Sequence, residues 1–153
     1  MAESGKRDPL LTNTVDETYL GFDFGNKKIG VAVGHKITRI ASPLTTLPAV
    51  NQSPDWASIG RLIGEWRPAG FVVGISKQDD GSDNPITPRM LKFCRQLEGR
   101  YQLPVYREDE TLTTFEAKQM LYDEMNVNAT KLWAVQDRLA AQLILQSWLN
   151  HNP

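Results

Sequence analysis

From Tyr19 to Phe24 the chain alternates. Leu20, Phe22 and Phe24 share one side, and Tyr19, Gly21 and Asp23 the other, the period of two that marks a strand. Ile29 to Gly34 is a second apolar run, rich in Val, and the Gly-Asn-Lys-Lys link between the two has hairpin-turn chemistry. A third extended piece is predicted over Arg39 to Leu47, with Pro43 and Pro48 pushing it toward a sheet edge or its ends. These make three consecutive antiparallel strands. Ser53-Pro54-Asp55 then offers an N-cap, a proline at the first helical position and an acidic first turn. Trp56, Ile59, Leu62, Ile63 and Trp66 fall on one face of the helix that follows, and Arg67-Pro68 closes it.

Phe71 to Ile75 is continuously apolar, as expected of a strand covered on both faces. Ser76 to Pro88 is a polar loop rich in Asp, Gly and Pro, and Met90, Leu91, Phe93, Cys94 and Leu97 follow on a helix to about Arg100. Pro104-Val105-Tyr106 opens another strand, which runs into Arg107-Glu108-Asp109-Glu110. Thr113 and Glu116 have capping-box spacing for a helix to about Glu124, and a last helix spans roughly Leu132 to Leu149. The order predicts an α/β fold: a mixed five-stranded sheet, three antiparallel strands and then two parallel ones, flanked by helices.

Composition narrows this picture without redirecting it. The 153 residues are 41% hydrophobic and 23% charged, ordinary for one globular domain. We expect residues 1–18, which lack an apolar signal core, to be a disordered extension and residues 19–150 to be the domain. No run reaches the length of a membrane span, and a cytoplasmic location is expected. A net charge of −1 means that any phosphate-binding surface must be a local patch. The single Cys94 excludes an internal disulfide and a cysteine-based zinc site, and His35 and His151 are the only imidazoles.

Asp23 is the anomaly in the first strand. A carboxylate away from water is costly unless something positive meets it, although an Asp can also simply end a strand and bond its turn. Asp137 poses the same question in the last helix, which is apolar on nearly every side, with small Ala140 and Ala141 permitting close approach to the sheet. An ion pair with Arg138 is the plainer alternative there. A third acidic group, Glu108-Asp109-Glu110, ends a strand and could merely favour a following helix dipole. Carboxylates converging from separate elements suit hard cations such as Mg²⁺ or Mn²⁺. Two such ions about 4 Å apart activate water and stabilise a leaving oxygen in phosphodiester hydrolysis.

GFDFGNKKIGVAVG, FVVGI with the later Asp80-Gly81-Ser82, DETLTTFEA at Asp109 to Ala117 and DRLAAQLILQSWL at Asp137 to Leu149 occur in that order. Together they resemble the YqgF family, also called RuvX, of bacterial ribonuclease H-like proteins, over about Leu20 to Leu149. The resemblance implies a ribonuclease H-like fold and a metal-dependent nuclease, associated with maturing the 5′ end of precursor 16S ribosomal RNA and with resolving Holliday junctions. Its acidic positions fall on Asp23, on the pair Asp109 and Glu110, and on Asp137; Glu110 is the preferred second ligand and Asp109 the reserve. Thr111 stands where the family often has Arg, and Ser76 where it usually has Pro. The first departure touches a phosphate contact and the second the stiffness of a loop.

Nucleic acid is the expected partner, as precursor ribosomal RNA or branched DNA, with ribosomal particles and a monomer or homodimer as the working state. Lys27 and Lys28 in the turn, Ser82 in the Asp-Gly-Ser loop, and Arg89 with Lys92 (and Arg95) at helical spacing are candidate substrate contacts. Solvated turn lysines and a wet helix face are the plainer readings. The four tryptophans have core spacing, and Tyr106 and Tyr122 are weak stacking candidates. Two other classes remain: an actin-like nucleotide-binding module, for which the chain has one hairpin and no second half, and an RNA-binding protein that does not cut.

Overall fold

The computed structural model describes residues 17–25, 27–50, 53–75, 86–109 and 129–152, with backbone alone for 129–135. Strands β1 (Thr18–Phe24) and β2 (Lys28–His35) pair antiparallel from Thr18↔His35 to Phe24↔Ile29. Strand β3 (Ile40–Val50) pairs antiparallel with β2 and is longer than expected, running through Pro48. Val31 faces Thr45 but Ala32 faces Pro43, so Leu44 is the extra residue of a bulge. That bulge is how a proline is seated within the strand.

Ser53–Pro54 corrects the sequence reading. These residues form a short strand, β4, against Ala49 and Val50, which raises the sheet to six strands. Asp55, not Ser53, caps helix α1 (Trp56–Trp66), its carboxylate accepting from the Ser58 amide at 3.2 Å and the Ser58 hydroxyl at 2.7 Å. A bound carboxylate competes better for the free amides of a first turn than a serine hydroxyl two residues earlier. Arg67 closes α1 with a left-handed backbone (φ 47°) and donates to the Ile63 carbonyl at 2.8 Å.

Strand β5 (Gly70–Ile75) lies parallel to β1 and is buried throughout. Helix α2 (Thr87–Tyr101) leads back to strand β6 (Val105–Asp109), parallel to β5. The sheet order is β4-β3-β2-β1-β5-β6, and helix α3 (Ala129–His151) completes the described elements. The helix expected between Thr113 and Glu124 lies outside the described residues.

The alternation in β1 separates two cores. Leu20, Phe22 and Phe24 join Ile59 of α1 and Met90, Phe93 and Leu97 of α2, with Phe22 edge-on to Phe93 at 5.4 Å between ring centroids. Tyr19 belongs to the other side, with Ala141, Ile144, Leu145, Trp148 and Leu149 of α3. The sheet is thus the middle of three layers. Trp56, Trp66 and Trp148 are packing residues, as their spacing predicts.

Candidate active site

Asp23 stands near the end of β1 on the face covered by α3, since its parity is that of Tyr19 and Gly21. The space above Gly21 is filled by α3: a Cβ there would meet Leu145 Cβ at 2.8 Å. Directly across β2 from Asp23 is Gly30. A Cβ on Gly30 would overlap the carbonyl oxygen of Asp137 and reach within 2.9 Å of the Arg138 nitrogen. Paired residues of antiparallel strands point to the same face. The backbone at Asp137 therefore presses on the sheet beside Asp23, and only a residue without a side chain admits it.

Asp137 is half-buried, and burial pushes its carboxyl above the usual carboxylate range, opposed by the charges of Lys28 and Arg138. Lys28 shares the parity of Gly30, two residues on, which places it on the α3 face. The turn holding it is short: the Gly25 amide donates to the Lys28 carbonyl at 2.9 Å. Lys28 is thus an electrostatic neighbour of Asp137, a role that its place in a turn did not suggest. Lys27 is exposed, and its carbonyl accepts from the Ala49 amide at 2.9 Å.

Asp109 has the parity of the sheet face opposite α3. In β6, Tyr106 stacks on Trp148 and Glu108 accepts from the Ser147 hydroxyl of α3 at 2.7 Å, so even positions face α3. Val105 packs in the opposite core, and Arg107 lies against Cys94 of α2. Asp109 follows that odd parity and is exposed at the strand end. Glu110 and Ser82 lie outside the described residues. Among the described residues no three acidic, histidine or cysteine side chains stand together as an ion site.

Arg89, Lys92 and Arg95 are exposed on α2, in the layer opposite α3. Because β5 and β6 are parallel, α2 runs back between them. Its first turn, with Arg89, therefore begins at the end of the sheet where β1 reaches Asp23. The sequence reading missed Gly30 as the residue that seats α3. The signal was there, in the glycine that opens the Gly-Val-Ala-Val run, but a glycine in a strand has several explanations.

The sequence profile of the family described as RuvX, Holliday junction resolvase, matches residues 17–151. A protein of Methylococcus capsulatus named "Putative pre-16S rRNA nuclease" is 56% identical over 133 residues, which is 87% of this chain and 88% of that one. Among solved structures, the Fowlpox virus Holliday junction resolvase covers 88% of this chain and 98% of its own, with a TM-score of 0.52 at 13% identity. RuvC of T. thermophilus in complex with a Holliday junction substrate covers 89% and 96%, with a TM-score of 0.50 at 17% identity. These two likenesses speak for the fold alone, which is the expected ribonuclease H-like α/β architecture.

Proposed function

Because this chain belongs to the RuvX family, we propose that it is a metal-dependent nuclease acting on structured RNA, and that its task is maturing the 5′ end of precursor 16S ribosomal RNA. The observation that carries the chemistry is the bare Gly30, which lets Asp137 of α3 settle beside the strand neighbour of Asp23. A half-buried carboxylate calls for positive charge. The donors are oxygens, which suits Mg²⁺ or Mn²⁺. Asp23 and Asp137 would hold such ions together with Glu110, with Asp109 in reserve. When bound, a pair of ions supplies Lewis-acid activation of water and charge relief on the leaving oxygen.

The protein side of the mechanism is positioning. Asp23 comes from a central strand and Asp137 from a helix whose backbone presses on β2, an arrangement that favours pre-organisation of the pair. Lys28 offsets charge at Asp137, while Lys27, Arg89 and Lys92 present cations to phosphates at the same end of the sheet, with Ser82 as a further contact. Such contacts hold the backbone in place and carry little sequence information. On this reading the enzyme works on ribosomal precursor particles in the cytoplasm, as a monomer or homodimer.

Resolution of four-way DNA junctions is the second reading, favoured by the family's description. RNA ranks first because relatives at high identity carry the ribosomal name, whereas the junction-bound neighbours share little sequence. The test offers precursor 16S RNA and a four-way DNA junction, with Mg²⁺ or Mn²⁺, to wild type and Asp23→Asn. Wild type should cut the RNA preferentially, and Asp23→Asn should lose at least a hundredfold in rate with its circular dichroism unchanged. Undiminished cutting by the variant would refute the metal assignment.

A further inference from the structure

Four large apolar or aromatic residues are exposed among those described: Ile37, Ile40, Val50 and Tyr106. Tyr106 alone of these is a ring, and it is held rigidly. It packs on Trp148 with centroids 4.9 Å apart and planes inclined by 34°, while Trp148 packs in turn on Tyr19 at 4.8 Å. Lys36 Nζ lies 5.6 Å from the Trp148 ring centroid and 5.9 Å from that of Tyr19. Trp148 is thereby covered, at 5% exposure, and Tyr19 likewise. The cluster shows solvent one aromatic surface, that of Tyr106, which is 39% exposed.

From this arrangement we infer that Tyr106 is a stacking platform for an unpaired nucleobase of the substrate. The inference rests on the nuclease reading and deepens it by naming single-stranded segments as what this end of the molecule takes. Tyr106 lies level with Gly21 through Val72, two strands and two residues from Asp23, and on the same face of the sheet. At the spacings of a sheet that is roughly 12 Å, within a few nucleotides' reach. One charged neighbour on the same face of β6 is acidic. Glu108, two residues along on the same face, holds its carboxylate on the Ser147 hydroxyl, with His151 Nδ1 3.8 Å away. An anion beside the ring repels a phosphate but leaves a neutral base face free to stack. Stacking of this kind tolerates any base, as suits an enzyme whose other contacts are to backbone.

The experiment uses the full chain carrying Asp23→Asn, so that binding is read without cleavage, and single-stranded RNA bearing one 2-aminopurine. Quenching of the probe is expected with Tyr106 and with Tyr106→Phe. Tyr106→Leu, which keeps apolar cover on Trp148, should lose the quench and bind roughly tenfold more weakly. A fully paired duplex should bind Tyr106 and Tyr106→Leu chains alike. Absence of quenching at every probe position in the chain that retains Tyr106 would overturn the inference, whatever the stability of the variants. So would equal binding of single strands by Tyr106→Leu. Cleavage assays on the chain with Asp23 intact separate the two readings: lost quenching with cleavage preserved removes the platform alone, whereas quenching without any cleavage by wild type removes the nuclease and leaves the platform.

Discussion

Asp137 shows how one side chain can weaken the fold that positions it. A carboxyl raised by burial holds its proton more tightly in the folded chain than in the unfolded one. Its favourable contribution is complete below the unfolded carboxyl pKa of about 3.9 and is lost as pH rises through the folded value. Above the folded value the protein carries an ionised, half-buried carboxylate that Lys28 and Arg138 only partly relieve. Asp137→Asn is expected to melt at a higher temperature than wild type at pH 7 and to gain nothing at pH 3, while losing cleavage. Thermal melts at both pH values check this, and a lower melting temperature at pH 7 would mean that the charge is already fully compensated. Stability sacrificed to hold charge is common where a site is built for a ligand.

At the level of elements, the decisive contact is α3 on β2. The helix is anchored at two places. Near Asp137 its backbone occupies the space that a side chain on Gly30 would need. Further along, Gln146 accepts from the Ala41 amide at 2.9 Å and donates to the Arg39 carbonyl at 2.7 Å, and Gln142 donates to the Ala41 carbonyl at 3.0 Å. These amides occupy backbone groups of Ala41 in β3 and of Arg39 just before it, and blunt that part of the edge. Gly30→Ala should lift the helix off the strand, at a cost of about 1–3 kcal/mol for overpacking, and separate Asp137 from Asp23. Urea unfolding measures the first effect. Cleavage, expected to fall by much more than the lost stability explains, measures the second.

For the molecule as a whole, the charge balance sets the mode of substrate binding. With a net charge of −1 there is no general attraction for a polyanion, so affinity must come from cations gathered at one end of the sheet. Lys27 is the exposed member closest in sequence to Asp23. Lys27→Ala is expected to reduce the slope of log binding constant against log salt by roughly 0.7 to 0.9, the release of one phosphate-bound counterion. Titrations from low to moderate salt decide the matter, and an unchanged slope would take the turn out of the binding surface. Among the described residues no helix is long and apolar enough to cross a membrane.

Local pattern was enough for most of the described strands and helices. The even-odd split of β1 already separated the two cores, the apolar run of β5 announced a strand buried on both faces, and the spacing of Trp56, Ile59, Leu62, Ile63 and Trp66 drew the buried side of α1. It failed at Ser53–Pro54, because a two-residue strand draws its stability from its partner and leaves no periodic trace. The acidic residues were visible as candidates, yet which of them meet depends on parity and packing between elements distant along the chain. Only the tertiary structure gave Asp109 the parity opposite α3, seated the backbone of Asp137 over a bare Gly30 and put the charge of Lys28 to work on a carboxylate more than a hundred residues later. Sequence specifies periodicity residue by residue, but convergence at a site is a property of the contacts that folding creates.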